Sequence, residues 1–257
     1  MKLRYLYLGF DNLNERYYSD KKRFAYNFTS NYRFIANYLS KTIRKYKIEN
    51  NIGVNMLYIR LTPEDSHIKV KEYSHVLEVF LHFTKEDLDK ILQMQSHEER
   101  FEEYLELYER SYAYTKEQGF EIGQDILLIL HRNFRELGYK NEWLWKKKLF
   151  REHDMYVFFK CAFTTIDFTL TIEVMNAKKD ILRLKQVLFR TYPDELCYDK
   201  DFRHIIIDGS SLIITDFLNH PFIGINIDDL KNNILTVDGY GHDLLHKYEK
   251  EIKLIEW

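Results

Sequence analysis

An α+β fold is predicted, with mixed, mainly antiparallel strands in one or two sheets and a helical middle segment packed on them. Three observations predict it. Ile166, Phe168, Leu170, Ile172 and Val174 alternate with Asp167, Thr169, Thr171 and Glu173, a period of two that no helix brings to one side. Residues 98–137 instead repeat apolar side chains at helical spacing. The element order runs coarsely β-α-β-β, then three or four helices, then β-β-α-β-β-β, so strands flank helices.

Leu3–Phe10 alternates loosely and reads as a first strand. Glu15–Lys47 reads as one long helix, with Phe24, Phe28, Ile35, Leu39 and Ile43 as its apolar stripe. Val54–Leu61 and His75–Phe83 read as strands joined by a polar loop containing Pro63. Thr84 caps a helix over 84–93, with Asp87 three residues on, close to a capping box. Ser96 and Glu99 repeat that arrangement and start the helix Glu98–Gln118. Ile122, Ile126, Ile129, Leu130 and Leu137 mark another helix, stopped by Gly138. Leu127 and Leu128 widen its stripe, so burial on most sides is expected. Asn141 caps a short segment, Glu142–Phe150.

Tyr156–Phe163 is apolar on both faces except at Lys160, and reads as the deeper neighbour of the alternating strand. Asn176 offers an N-cap, and Ile181, Leu184, Leu188 and Tyr192 form an i, i+3, i+7, i+11 stripe for a covering helix. Gly209-Ser210 between His204–Asp208 and Ser211–Asp216 signals a type II′ hairpin. Phe222–Ile227 and Ile234–Val237 read as short strands, and Tyr240–Ile255 as a last helix. The expected core holds Phe163, Phe168, Leu170, Ile172, Ile181, Leu184, Leu188, Ile126 and Ile129.

With 257 residues, 45% hydrophobic and 30% charged, the chain is globular rather than disordered. Nine glycines and three prolines leave no extended flexible linker, which favours one compact unit; the alternative is two sheet-forming halves, 1–95 and 152–257, around helices 96–150. The apolar segment of MKLRYLYLGFDNLNER is too short for a signal peptide, and no run approaches a membrane span. Cys161 and Cys197 lack zinc-site spacing and read as reduced thiols, so a cytoplasmic location is expected. Abundant Lys, Asn, Ile and Tyr fit an AT-rich, bacterial genome.

Charge is uneven along the chain. Residues 1–50 hold eleven Lys/Arg against four Asp/Glu, residues 84–125 hold five against twelve, and residues 131–151 hold seven against two. In the helix 98–118, Phe101, Leu105, Tyr108 and Tyr112 share one face. Glu98, Glu102, Glu106 and Glu109 follow the opposite side, and like charges four apart repel by a few tenths of a kcal/mol, roughly, per pair. Relief must come from the chain's own basic segments, such as the helix 21–47, or from a basic partner protein. Trp143 and Trp145 among Lys146, Lys147 and Lys148 are the makings of a single-stranded nucleic-acid contact, although Trp residues at i, i+2 cannot share a helix face. His242 and His246, at i, i+4, can hold one metal ion, but the metalloprotease glutamate beside the first histidine is replaced by Asp243. Asp154, Asp167, Glu173 and Lys160 lie about the central strands, without the acidic-x-Lys doublet of metal-dependent nucleases. Phosphate-binding glycine loops and nucleophile elbows are lacking. The expectation is a non-enzymatic, cytoplasmic protein-binding module, of the toxin-neutralising (immunity-like) kind, with no cofactor. The alternatives are a metal-dependent hydrolase or nuclease, and a nucleic-acid binder.

Overall fold

The computed structural model describes residues 1–11, 22–195, 198 and 200–252, with side chains omitted for 22–31 and 250–252. It divides the chain into two compact units, Met1–Lys140 and Asn141–Trp257. The helices of residues 96–140 thus belong to the first unit instead of standing between two halves. Both helices and strands are present and most strand pairs are antiparallel, an α+β fold.

The first unit runs β1 (Tyr5–Phe10), α1 (Lys22–Tyr46), β2 (Met56–Thr62), β3 (His67–Lys71), β4 (Val76–His82), α2 (Lys85–Gln93), α3 (His97–Glu117) and α4 (Gln124–Glu136). Its sheet has the order β1-β2-β4-β3, with β1–β2 and β2–β4 parallel and β3–β4 antiparallel. Parallel neighbours need a long crossover, and α1 supplies the one between β1 and β2. Ser40 Oγ of α1 accepts from the Leu6 amide at 2.9 Å and donates to the Leu6 carbonyl at 3.3 Å, tying the helix to the β1 backbone. Leu6, Leu8, Leu57, Ile59, Leu61, Leu77, Val79 and Leu81 are all buried. Ile35, Leu39 and Ile43 of α1 are buried too, as the stripe predicts; Phe24, Phe28 and the start of the helix at 15–21 lie outside the described side chains. Phe34, Phe101, Phe134 and Tyr38 interlock α1, α3 and α4, with centroids between 4.3 and 5.6 Å apart. Both predicted capping boxes form, at Thr84/Asp87 and Ser96/Glu99.

Two expectations fail in this unit. The loop around Pro63 contains β3, whose residues are largely polar because it is an edge strand with one open side. In α4 the buried residues are Gln124, Leu127, Leu130, His131 and Phe134, while Leu128, Ile129 and Leu137 are exposed. The helix is covered on one side only.

The second unit runs β5 (Glu142–Phe150), β6 (Met155–Phe163), β7 (Phe168–Asn176), β8 (Leu182–Thr191), β9 (His204–Asp208), β10 (Ser211–Thr215), β11 (Pro221–Asn226), α5 (Ile227–Lys231), β12 (Val237–Asp238) and α6 (Tyr240–Ile252). It holds two antiparallel sheets, β5-β6-β7-β8 and β12-β11-β10-β9. The β6–β7 register pairs Met155 with Asn176 and Phe163 with Phe168. Phe163, Phe168, Leu170, Ile172 and Leu188 are buried as predicted. Gly209 takes φ 56 at the first central position of the β9–β10 turn, the left-handed backbone a type II′ hairpin needs there.

The covering helix after Asn176 is absent: residues 182–191 form strand β8. The Asn176 side chain closes a hairpin instead, accepting from the amides of Asp180 at 3.1 Å and Ile181 at 3.3 Å. Ile181 is 59% exposed in that turn, and Leu184 is half-buried. The helical spacing misleads because β8 carries two bulges, which break the period of two that identifies a strand. The segment 142–150 is likewise a strand, so Asn141 caps no helix there. Ile166 sits 63% exposed in the turn before β7, and the strand expected over 234–237 is the two-residue β12. Cys161 is buried on β6; Cys197 lies outside the described residues.

Candidate functional site

The start of β1 and the last turn of α1 build a pocket of about 270 Å³, lined by Lys2, Leu3, Arg4, Tyr5, Arg44 and Lys47. Leu3 is fully buried and the four cations are exposed. The Arg44 guanidinium lies over the Tyr5 ring at 4.7 Å and donates from Nε to the Arg4 carbonyl at 3.5 Å. Lys47 follows the helix in left-handed backbone, φ 52, which turns the chain back along the pocket. Arg44 also complements the carbonyl end of α1, but Lys2 and Arg4 come from outside the helix. No carboxylate lines the pocket, and none of the four cations forms an ion pair among the described residues. The arrangement attracts an anion. Its signal in the sequence is the basic bias of residues 1–50; the pairing of Lys2 and Arg4 with Arg44 and Lys47 across forty residues has none.

The glutamate face of α3 finds relief inside the first unit. Arg135 Nε donates to both carboxylate oxygens of Glu102, at 2.9 and 3.0 Å, and its Nη1 donates to Glu109 at 3.0 Å. Tyr139 donates its hydroxyl to Glu102 as well. Lys90 of α2 pairs with Glu103 at 2.8 Å. The cations come from α4 and α2, and not from the helix 21–47 that the sequence offered. Burial works against the Glu102 charge, yet the hydrogen bonds from Arg135 and Tyr139 outweigh it and hold the carboxyl below the usual range. His131 is fully enclosed, and burial depresses its pKa despite the opposing pull of Glu109. The ring is therefore neutral: Nδ1–H donates to Glu109 at 3.0 Å and Nε2 accepts from the Tyr112 hydroxyl at 3.2 Å. Glu98 and Glu106 remain exposed and form no ion pair among the described residues.

On strand β5, Trp143 and Trp145 do reach one face, which a helix would forbid. That face is inward. Trp143 packs at 6.0 Å from Phe168, and Trp145 at 6.1 Å from Phe159 and 5.7 Å from Phe202. Lys146, Lys147 and Lys148 are exposed on an edge strand, where lysines discourage pairing with another chain.

The carboxylates near the central strands do not converge. Glu173 lies between Lys160 and Lys185, with Lys185 at 3.2 Å; burial opposes its charge, and the two ammonium groups hold its pKa below the usual range. Asp167 pairs with Arg190 at 2.5 Å and Asp154 with Arg183 at 3.0 Å. Among the described residues no three His, Cys, Asp or Glu side chains could hold a metal ion together. His242 and His246 do meet, Nε2 to Nε2 at 3.1 Å on adjacent turns of α6.

Asp201 is the one carboxyl among the described residues pushed up, to about 6, by burial and then by neighbouring Asp216. The folded state holds this proton more tightly than the unfolded chain, whose value is 3.8. Stability from this group is thus complete below that value and lost as pH rises through about 6. Asp201→Asn should stabilise the fold at neutral pH by about 1 kcal/mol after discounting for solvent screening, read as a higher melting temperature. At acid pH, where Asp201 is already protonated, melting curves of variant and parent should coincide.

Compared with protein-family models, curated proteins and solved structures, the chain matches none. No helix among the described residues is long and apolar enough to cross a membrane. What the site defines is an anion-attracting pocket on an α+β unit.

Proposed function

We propose that the protein is a non-catalytic binding module that takes an anionic group of a partner protein, a carboxylate or a phosphate ester, in the pocket of Lys2, Arg4, Arg44 and Lys47. The observation that carries this reading is four cations around one concave site with no carboxylate in its lining. The whole chain has a formal net charge of −2, so the positive field is local. A local field fits one discrete anionic group better than the long phosphate track of a nucleic acid. A charge-assisted hydrogen bond contributes about 1.5–3 kcal/mol, and less where solvent screens it. The pocket therefore supplies modest affinity, and orientation within a larger interface. Neutralising or scaffolding a partner in a cytoplasmic, bacterial setting is a role such a module can perform.

A second reading keeps a basic partner on α3, at Glu98 and Glu106, which are exposed and form no ion pair among the described residues; Glu102 and Glu109 lend it little, being engaged by Arg135. The hydrolase and nucleic-acid readings draw no support from the ion-paired carboxylates or the inward tryptophans.

The test titrates the protein with inorganic phosphate and with a short aspartate-rich peptide. Binding should weaken by about tenfold or more in Arg44→Gln/Lys47→Gln, the loss of two charge-assisted contacts, and should fall as salt rises. A parent protein that takes up neither probe, or a double variant that binds as well as the parent, would sink the reading.

A further inference from the structure

We propose that His242 and His246 form an exchangeable site for a divalent transition-metal ion of the zinc class in the second unit. The spacing of four places both rings on one side of α6, 4.5 Å apart between centroids, with planes at 76°. Their Nε2 atoms are 3.1 Å apart. Zinc–imidazole bonds of about 2.0–2.1 Å put two nitrogens about 3.3–3.4 Å apart at a tetrahedral ion and about 2.9 Å apart at an octahedral one. The observed separation falls between, so an ion enters with only a small adjustment of the rings.

The surroundings direct both Nε2 atoms to that point. Glu249, one turn on, has a carboxylate oxygen 3.8 Å from Nδ1 of His246, which favours the proton on that nitrogen and leaves Nε2 free to ligate. Nδ1 of His242 is buried without a hydrogen-bond partner, so the ring makes its polar contact through Nε2. With no ion present, Nε2–H of His242 donates to Nε2 of His246; when a divalent ion binds, that proton moves to Nδ1 of His242, and both rings ligate through Nε2 as neutral imidazoles. Imidazole pairs select zinc, copper and nickel over magnesium and calcium, which want oxygen.

The chain supplies two ligands here. Among the described residues no third His, Cys, Asp or Glu joins them. A structural zinc site is closed by four protein ligands, so this one is of a different kind: water, or an atom brought by another molecule, fills the remaining positions. The ion would brace the first turns of α6. That helix is anchored further along by the Tyr248 hydroxyl, which donates to the Ile166 carbonyl at 3.1 Å, and by the edge contact of Tyr248 with Tyr192 at 5.0 Å.

The experiment is calorimetric titration of the untagged, metal-free full chain with zinc chloride at neutral pH. One zinc per chain is expected, and the site should vanish in His246→Ala and in His242→Asn while persisting in His220→Ala. Circular dichroism of each variant confirms that α6 is retained; His246 is exposed, so its truncation spares the fold. No uptake by the parent, or uptake that survives in either the His242 or the His246 variant, overturns the proposal.

Discussion

Replacing Phe168 with alanine should lower the unfolding free energy of the second unit by about 3–5 kcal/mol, the cost of deleting a buried aromatic ring and leaving a cavity. Phe168 is fully buried on β7. Its ring stacks on Tyr198 with centroids 3.6 Å apart and planes at 5°, and Trp143, Phe189 and Phe202 lie within 6.3 Å. Phe189 and Phe202 in turn meet Phe222 of β11 at 5.5 and 5.7 Å. Phe168 thus belongs to one aromatic cluster with Phe189 and Phe202, which carry the contact on to Phe222 of the second sheet. A loss of this size is a large part of the 5–15 kcal/mol, roughly, that holds a domain together. Leu170→Ala, in the same buried row, should cost about 2–5 kcal/mol. Ile181→Ala, in the exposed turn, should stay within about 0.5 kcal/mol. Urea unfolding followed by tryptophan fluorescence measures all three. If Ile181→Ala proved as costly as Leu170→Ala, a helix over 181–192 would be packed on the sheet after all, and the strand β8 would be wrong.

That contrast shows what the chain states locally and what it does not. The residues of β7 announce a strand because a period of two has one physical meaning, and Thr84/Asp87 and Ser96/Glu99 announce helix starts because a capping box satisfies amides within four residues. The β8 segment announces the wrong element: bulges at two points turn its alternation into a spacing that a helix also has. The lysines and tryptophans of β5 mislead in the same way, since an edge strand keeps one row of side chains in water whatever its face. The basic pocket is less legible still. Lys2 and Arg4 reach Arg44 and Lys47 only because β1 lies along α1, a tertiary fact stated by the Ser40–Leu6 hydrogen bonds and by nothing within either segment. The glutamates of α3 were visible as a stripe, and their need for relief followed from charge alone. Which cation relieves them depended on how α4 packs, and Arg135 is thirty-three residues from Glu102.

Reversing Glu102 to lysine should destabilise the isolated protein by about 2 kcal/mol. The reversal removes a two-oxygen hydrogen bond from Arg135 and the bond from Tyr139, and sets an ammonium beside a guanidinium. Charged hydrogen bonds of this kind contribute about 1.5–3 kcal/mol each where water is excluded. The side chains here are 44% and 34% exposed, so solvent screening brings the sum down. Glu106→Lys is the matched comparison on the same helix. Glu106 is exposed and forms no ion pair among the described residues, and reversing it relieves repulsion from Glu102, so the change should be neutral or slightly stabilising. A double-mutant cycle on Glu102→Gln and Arg135→Met should give a coupling of about 0.5–3 kcal/mol, whereas Glu106→Gln with Arg135→Met should give none. Acid sharpens the test. The carboxyls of Glu102 and Glu109 are both held below the ordinary 4.5, so their stabilisation is present above that value and lost as pH falls through the folded pKa. The gap between parent and Glu102→Gln melting temperatures should close in that window. Equal penalties for Glu102→Lys and Glu106→Lys at neutral pH would show that Arg135 does not select Glu102, and would return the whole glutamate face to the search for a basic partner.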